Sequence, residues 1–180
     1  MKKKSKIAFG RLDLLRNDTL NNKNKIRIGF IGGGPNSFIG YTHRLSARFD
    51  NKFEFVAGIF SKDKKKSKSF GSSLGLADDR CYSDYKSMAS AESKRNDGIQ
   101  ALGIMTPSGD HYKIAKVFIE KGIHIICDTP LTATLEDAVK LKKLNLRDNV
   151  LRECLCLKIY QSQFCFLHPI KVLVVPHKIM

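Results

Sequence analysis

The sequence contains no stretch of eighteen apolar residues free of charge, so no transmembrane helix is predicted in it. The basic start MKKKSK is followed only by IAFG before Arg11 and Asp13 interrupt, and a secretory signal peptide does not fit either. A cytoplasmic location is therefore expected. Cysteine is present five times, at 81, 127, 154, 156 and 165, an odd and scattered set. A lone C-x-C lacks the spacing of a zinc knuckle, so no metal site is predicted and the thiols are read as free. Acidic residues are scarce, 17 against 32 basic ones, which gives a net charge of +15. That imbalance suggests nucleic acid until it is divided along the chain. Residues 1–25 hold 8 basic and 2 acidic groups, residues 26–144 hold 19 and 13, and residues 145–180 hold 5 and 2. More than half of the excess lies outside the middle, and no aromatic residues interleave with the basic ends to stack on bases. Residues 1–24 are read as a solvated leader, and nucleic acid is not the expected partner.

What the sequence does contain is a hydrophobic content of 42%, enough for a core, arranged as alternating strand-like and helix-like segments. IRIGFI (26–31), FEFVAGIF (53–60), IQALGIM (99–105) and IHIIC (123–127) read as strands. Between them, residues 37–49 predict a helix with Phe38, Ile39, Leu45 and Phe49 on its apolar side. The lysine-heavy segment after Lys62 predicts another, stopped at Gly75. Ser83 is read as the cap of a short third helix, and Ser108 as the cap of a fourth that ends at Gly122. Thr134 and Asp137 form an imperfect capping box ahead of a fifth. The alternation implies an α/β fold, a doubly wound parallel sheet of the Rossmann type over residues 25–144. Beyond Leu144 neither a sustained period nor glycine turns continue, and no domain is assigned to 145–180.

Gly32, Gly33 and Gly34 follow the first strand and precede a helix, the context in which Gly-x-Gly acquires a function. A side chain at the first glycine would block the tight turn, and one at the second would hold a pyrophosphate away from the backbone. The helix N-terminus then offers N–H groups and partial positive charge to phosphate. A plain glycine turn is the alternative, since the third fingerprint position is Ser37. At the end of the second strand, where an acidic residue would bind a ribose diol, stand Ser61 and Lys62, with Asp63 one step late and Lys64, Lys65 and Lys66 behind it. A hydroxyl beside an ammonium suits a 2′-phosphate and inclines the reading to NADP over NAD. The alternative is that these lysines form a solvated helix face. From position alone, His111, His43 and His124 read as surface residues.

The stretches IRIGFIGGGPNSFIGYTHR and DGIQALGIMTPSGDHYKIAKVFIEKGIHIICDTPLTAT resemble the N-terminal domain of the glucose–fructose oxidoreductase, inositol dehydrogenase and MocA (Gfo/Idh/MocA) family. The resemblance covers roughly residues 25–144. It implies an NAD(P)-binding domain whose relatives transfer hydride between nicotinamide and sugar or polyol substrates. It assigns Gly32, Gly33, Gly34, Pro35, Phe38 and Ile39 to the pyrophosphate loop, and Ser61 and Lys62 to the adenosine end. Thr106 and Pro107 fall in the turn beside the cofactor, and His111 matches the histidine of the family's T-P-N-x-x-H pattern. Asp128, Thr129 and Pro130 occupy the family's E-K-P or D-K-P tripeptide, whose lysine belongs to the catalytic apparatus. Threonine carries no charge to stabilise a developing alkoxide. No catalytic residue is therefore assigned.

Relatives continue for about 200 further residues that bear the substrate pocket and much of the dimer interface. The chain is thus read as a truncated member, inactive alone, with its oligomeric state unread. Read one nucleotide earlier, permitted codons for residues 169–176 give H-x-x-T-G-x-P, similar to a related subgroup's T-H-N-Y-T-G-Y-P, and the tail is accordingly read as out of frame. The rival function is a non-catalytic dinucleotide sensor or a basic nucleic-acid-binding module.

Overall fold

The computed structural model describes residues 25–49, 51–148 and 152–155. The leader 1–24 and the residues past 155, on which the out-of-frame reading rests, lie outside them. Among the described residues there are five strands and five helices. They are β1 (Ile26–Gly32), α1 (Phe38–Phe49), β2 (Phe53–Ile59), α2 (Lys64–Ser73), α3 (Tyr85–Glu92), β3 (Ala101–Met105), α4 (Ser108–Ile119), β4 (His124–Asp128), α5 (Leu135–Asp148) and β5 (Arg152–Leu155), with a 3-10 turn at Asp78–Arg80. All strand pairs are parallel, in the order β2-β1-β3-β4-β5. From β1 the chain runs outward to β2 and then returns to build β3 on the other side. The sheet therefore has a switch point between β1 and β3. This is the Rossmann architecture that the alternation predicts.

Alternate strand residues feed two apolar layers, as the period of two requires. Ile28, Phe30, Ala101 and Met105 pack on one face with Ile39 and Ala47 of α1 and Phe70 of α2. Ile31, Leu102, Ile104, Ile125 and Cys127 pack on the other with Met88 of α3, Ile114 and Phe118 of α4 and Leu141 of α5. Phe118, Leu102, Ile104 and Leu141 have no exposed surface, each worth about 1.5–3 kcal/mol of transfer energy.

The predicted helices all form, with their ends set by other residues than those expected in several places. Asp84, not Ser83, caps α3, its carboxylate accepting from the Ser87 N–H at 2.7 Å. The α4 cap position is Pro107, with no side-chain bond, and Ser108 is already helical. Thr134 does cap α5, its Oγ1 accepting from the Asp137 N–H at 3.2 Å. On α1 the apolar side turns differently: Gly40 and Arg44 are buried, whereas Phe38 is 77% exposed and Leu45 52%. Regular structure also passes Leu144, since α5 runs to Asp148 and β5 pairs with β4. One last helical turn and one four-residue strand carry too little periodicity to be recognised in isolation.

One buried polar cluster joins the 3-10 turn to α3. Glu92 is fully buried and accepts from Arg80 Nη2 at 2.5 Å, Tyr82 Oη at 2.9 Å and the Ile99 N–H at 3.1 Å. Burial first, then the bond to Glu92, pushes the Tyr82 hydroxyl well above its ordinary pKa.

Candidate functional site

The C-terminal ends of the parallel strands form one edge, and the glycine loop, the residues after β2 and the turns after β3 and β4 lie along it. At the end of β1, Gly32 has φ +89° and a Cβ there would stand 2.4 Å from the Met105 carbonyl oxygen. Only glycine lets β1 turn away so close to β3. Gly33 follows with φ +65°, and α1 seats on it so closely that a Cβ on Gly40 would stand 2.4 Å from the Gly33 Cα. Ser37, at the third fingerprint position, is the α1 cap, its Oγ accepting from the Gly40 N–H at 3.1 Å. The close-packing glycine is thus Gly40, three residues later than the simple motif places it. Gly34 lies beside the end of β2, where a Cβ would meet the Phe60 carbonyl oxygen at 2.5 Å. Pro35 and Phe38 are exposed at the mouth of the loop, and Ile39 packs inward against β1.

Arg44 explains why the loop keeps this shape. It is buried, its Nη1 donates to the Gly33 carbonyl, and its guanidinium lies 5.1 Å over the Phe70 ring. Burial, and then the nearby Arg48, hold its pKa below the usual arginine value.

At the end of β2, Ser61 Oγ accepts from the Asp63 N–H, and Asp63 in turn caps α2 by accepting from the N–H groups of Lys65 and Lys66 at 2.9 and 3.1 Å. The carboxylate that stood one step late in the sequence is committed to a helix end. Lys62 is exposed beside it. An open concavity lies between Pro35 and the Lys65, Lys66, Ser69 and Phe70 side of α2.

Across the switch point, the turn after β3 carries Thr106 and Pro107. Thr106 Oγ1 is buried and has no hydrogen-bond partner among the described residues, an unusual state for a buried hydroxyl. His111, expected at the surface, is 1% exposed. Its Nε2 lies 2.6 Å from the Thr106 carbonyl oxygen and its Nδ1 2.9 Å from that of Pro130, with Cys127 Sγ 3.3 Å from the same nitrogen. Placement in the first turn of α4 suggested solvent, but that turn faces the β4 end. The ring ties two loops together. Asp128, the last residue of β4, meets His43 of α1 at 3.1 Å (Oδ1 to Nε2), so His43 is no free surface residue either. Thr129 and Pro130 follow, both exposed and joined by a cis peptide bond. No group of three or more candidate metal ligands occurs among the described residues.

The profile of one family, the Gfo/Idh/MocA oxidoreductases with an NAD-binding Rossmann fold, matches residues 26–152. The chain belongs to that family. Its matched residues are the family's NAD-binding Rossmann domain. Over 120 residues it is 42% identical to the uncharacterized oxidoreductase YfiI of Bacillus subtilis (strain 168), a match covering 66% of this chain and 30% of that protein. Among solved structures, an oxidoreductase from Pseudomonas syringae is similar at 44% identity and a TM-score of 0.71, over 73% of this chain and 36% of that one. An inositol dehydrogenase homolog from Azotobacter vinelandii, complexed with NADH and myo-inositol, is similar at 41% identity and a TM-score of 0.71, over 73% and 34%. The chain thus spans about a third of the length of these relatives. No helix among the described residues is long and apolar enough to cross a membrane.

Within this oxidoreductase domain, Gly40, Arg44 and His43 were not singled out as site residues in the sequence. Only Gly40 had a local signal, a glycine three residues past the expected position. Arg44 and His43 act through partners 11 and 85 residues away, which no spacing rule reaches.

Proposed function

We propose that this domain holds a dinucleotide along the C-terminal edge of the sheet, with its pyrophosphate on the Gly32–Gly34 loop and the α1 N-terminus. The observation that carries the reading is the buried, unpartnered hydroxyl of Thr106, one strand away from a glycine cradle at the switch point. A polar ligand would supply the bond that hydroxyl lacks. The residues present fit the group. Pro35, Phe38 and Ile39 flank the pyrophosphate, Ser61 and Lys62 hold the adenosine end, and Thr106, Pro107 and His111 shape the opposite wall with Asp128, Thr129 and Pro130.

We further propose NADP over NAD. The carboxylate nearest the ribose position, Asp63, is occupied as a helix cap, while Lys62 is exposed and Lys65 and Lys66 border the adjacent concavity. Ammonium groups at this position favour a 2′-phosphate over a free diol. When bound, the nicotinamide would exchange hydride with a sugar or polyol carbon, the chemistry proposed from the family and from the myo-inositol complex of a relative. The 180-residue chain alone is proposed to bind without turnover, since Thr129 supplies no charge where the family resemblance places lysine.

The test is a fluorescence titration of the purified chain with NADPH and with NADH. Tighter binding of NADPH, reduced toward the NADH value by Lys62→Glu, supports the preference. Equal affinities, or no effect of the charge reversal, would overturn it.

A further inference from the structure

The end of β4 is held from both faces of the sheet. On one face, the His111 ring bridges the Thr106 and Pro130 carbonyl oxygens. On the other, His43 of α1 reaches Asp128, with side-chain exposures of 14% and 18%. The neighbouring residue Arg44 holds the Gly33 carbonyl. Two consecutive residues of α1, about 100° apart around the helix, therefore tie together the loops on the two sides of the switch point. Arg44 secures the glycine loop of β1, and His43 secures the loop that follows β4.

We infer that His43 is a positioning residue for the cofactor, acting through Asp128 to fix the Asp128–Pro130 turn against the nicotinamide half of the dinucleotide. The inference rests on the dinucleotide reading above and adds a division of labour to it. A dinucleotide laid across the switch point has its adenosine half over β2 and its other half over β3 and β4. Asp128 ends β4, three strands away from β2 in the order of the sheet. Asp128 opens a turn in which Thr129 and Pro130 are exposed, and His43 and His111 anchor it, one at the Asp128 carboxylate and the other at the Pro130 carbonyl. Removing the imidazole frees that carboxylate and the turn behind it, and leaves Arg44, the glycine loop and the β2 end as they were.

The experiment compares two ligands on the full 180-residue chain: NADPH, and 2′-phospho-ADP-ribose, which lacks the nicotinamide. His43→Ala is expected to weaken NADPH binding about tenfold, the scale of losing one hydrogen bond to a charged group. Binding of 2′-phospho-ADP-ribose should stay within about twofold. His43→Gln, whose amide can still donate to Asp128, should recover most of the NADPH affinity. A disturbance of α1 as a whole would weaken both ligands alike, and that result, or undiminished NADPH binding, overturns the inference. If His43→Ala does not fold, the His43 imidazole resonances of the unmodified chain carry the same test. They should move with NADPH and stay in place with 2′-phospho-ADP-ribose, and identical responses to both ligands overturn the inference. An unmodified chain that binds neither of these ligands nor NADH overturns the dinucleotide reading itself, and the role of His43 falls with it; a chain that binds NADH alone overturns only the NADP preference, and the same comparison is then read with NADH and ADP-ribose.

Discussion

Glu92 is the residue whose removal the fold should tolerate least. Its carboxylate is fully enclosed and satisfied by Arg80, Tyr82 and the Ile99 N–H, so truncation strips three donors of their acceptor at once and leaves the buried Arg80 guanidinium only the more exposed Asp97 as a partner. Glu92→Ala should lower the unfolding free energy in urea by about 3–5 kcal/mol. Thr106 should behave in the opposite way. Because its hydroxyl has no partner among the described residues, Thr106→Val should leave the thermal midpoint unchanged or raised, while weakening dinucleotide binding by about tenfold. A lower midpoint with unchanged binding would make Thr106 a structural residue. At this scale the sequence was only partly legible. The glycines announced themselves because backbone geometry leaves no substitute, whereas His111 and His43 looked like surface residues. Their burial depends on loops brought to them by sheet pairing, which local pattern does not encode.

At the scale of elements, the strands and helices were legible because each buried face follows its own period. The caps were less so. Ser83 and Asp84 are both good capping residues, and the backbone chose the one whose carboxylate reaches the Ser87 N–H. The end of α5 and the strand β5 were missed because their signals are short and end without glycine. The β4 strand offers a pH test. Burial holds the pKa of His124 below the ordinary histidine value, so the folded chain binds fewer protons there than the unfolded chain. Stability from this group is complete above the unfolded pKa, about 6.5, and is lost as the pH falls below it. Urea midpoints measured from pH 7.5 to 5 should therefore decline, and His124→Gln should flatten that decline. An unchanged slope in the variant would remove His124 from the account.

At the scale of the molecule, the chain matches about a third of the length of its relatives. Two effects bear on turnover by this polypeptide. A missing charge at Thr129 costs about 10²–10⁴-fold in rate by the usual measure of proton handling. Substrate positioning is generally worth about 7–11 kcal/mol of barrier, more than that charge, and the matched residues 26–152 are the NAD-binding domain. The 180-residue chain, and equally Thr129→Lys, should show no NAD(P)H formation with a panel of sugars and polyols, and robust turnover by either would contradict this. Fold class was legible at this scale from the alternation of elements, and family from the order of several motifs. The cap that Asp63 makes at α2, on which the proposed cofactor preference rests, was not legible, because it depends on where the helix begins.

The central claim is that the edge at the switch point binds a dinucleotide in the folded state. Thermal unfolding of the unmodified chain with and without NADPH tests it most directly, because a ligand that binds only the folded form stabilises it by mass action. At about 100 times the dissociation constant the expected gain is about 2.7 kcal/mol, a rise of roughly 5–10 °C in the midpoint for a chain of this size. An unchanged midpoint at millimolar NADPH and at millimolar NADH would contradict the claim.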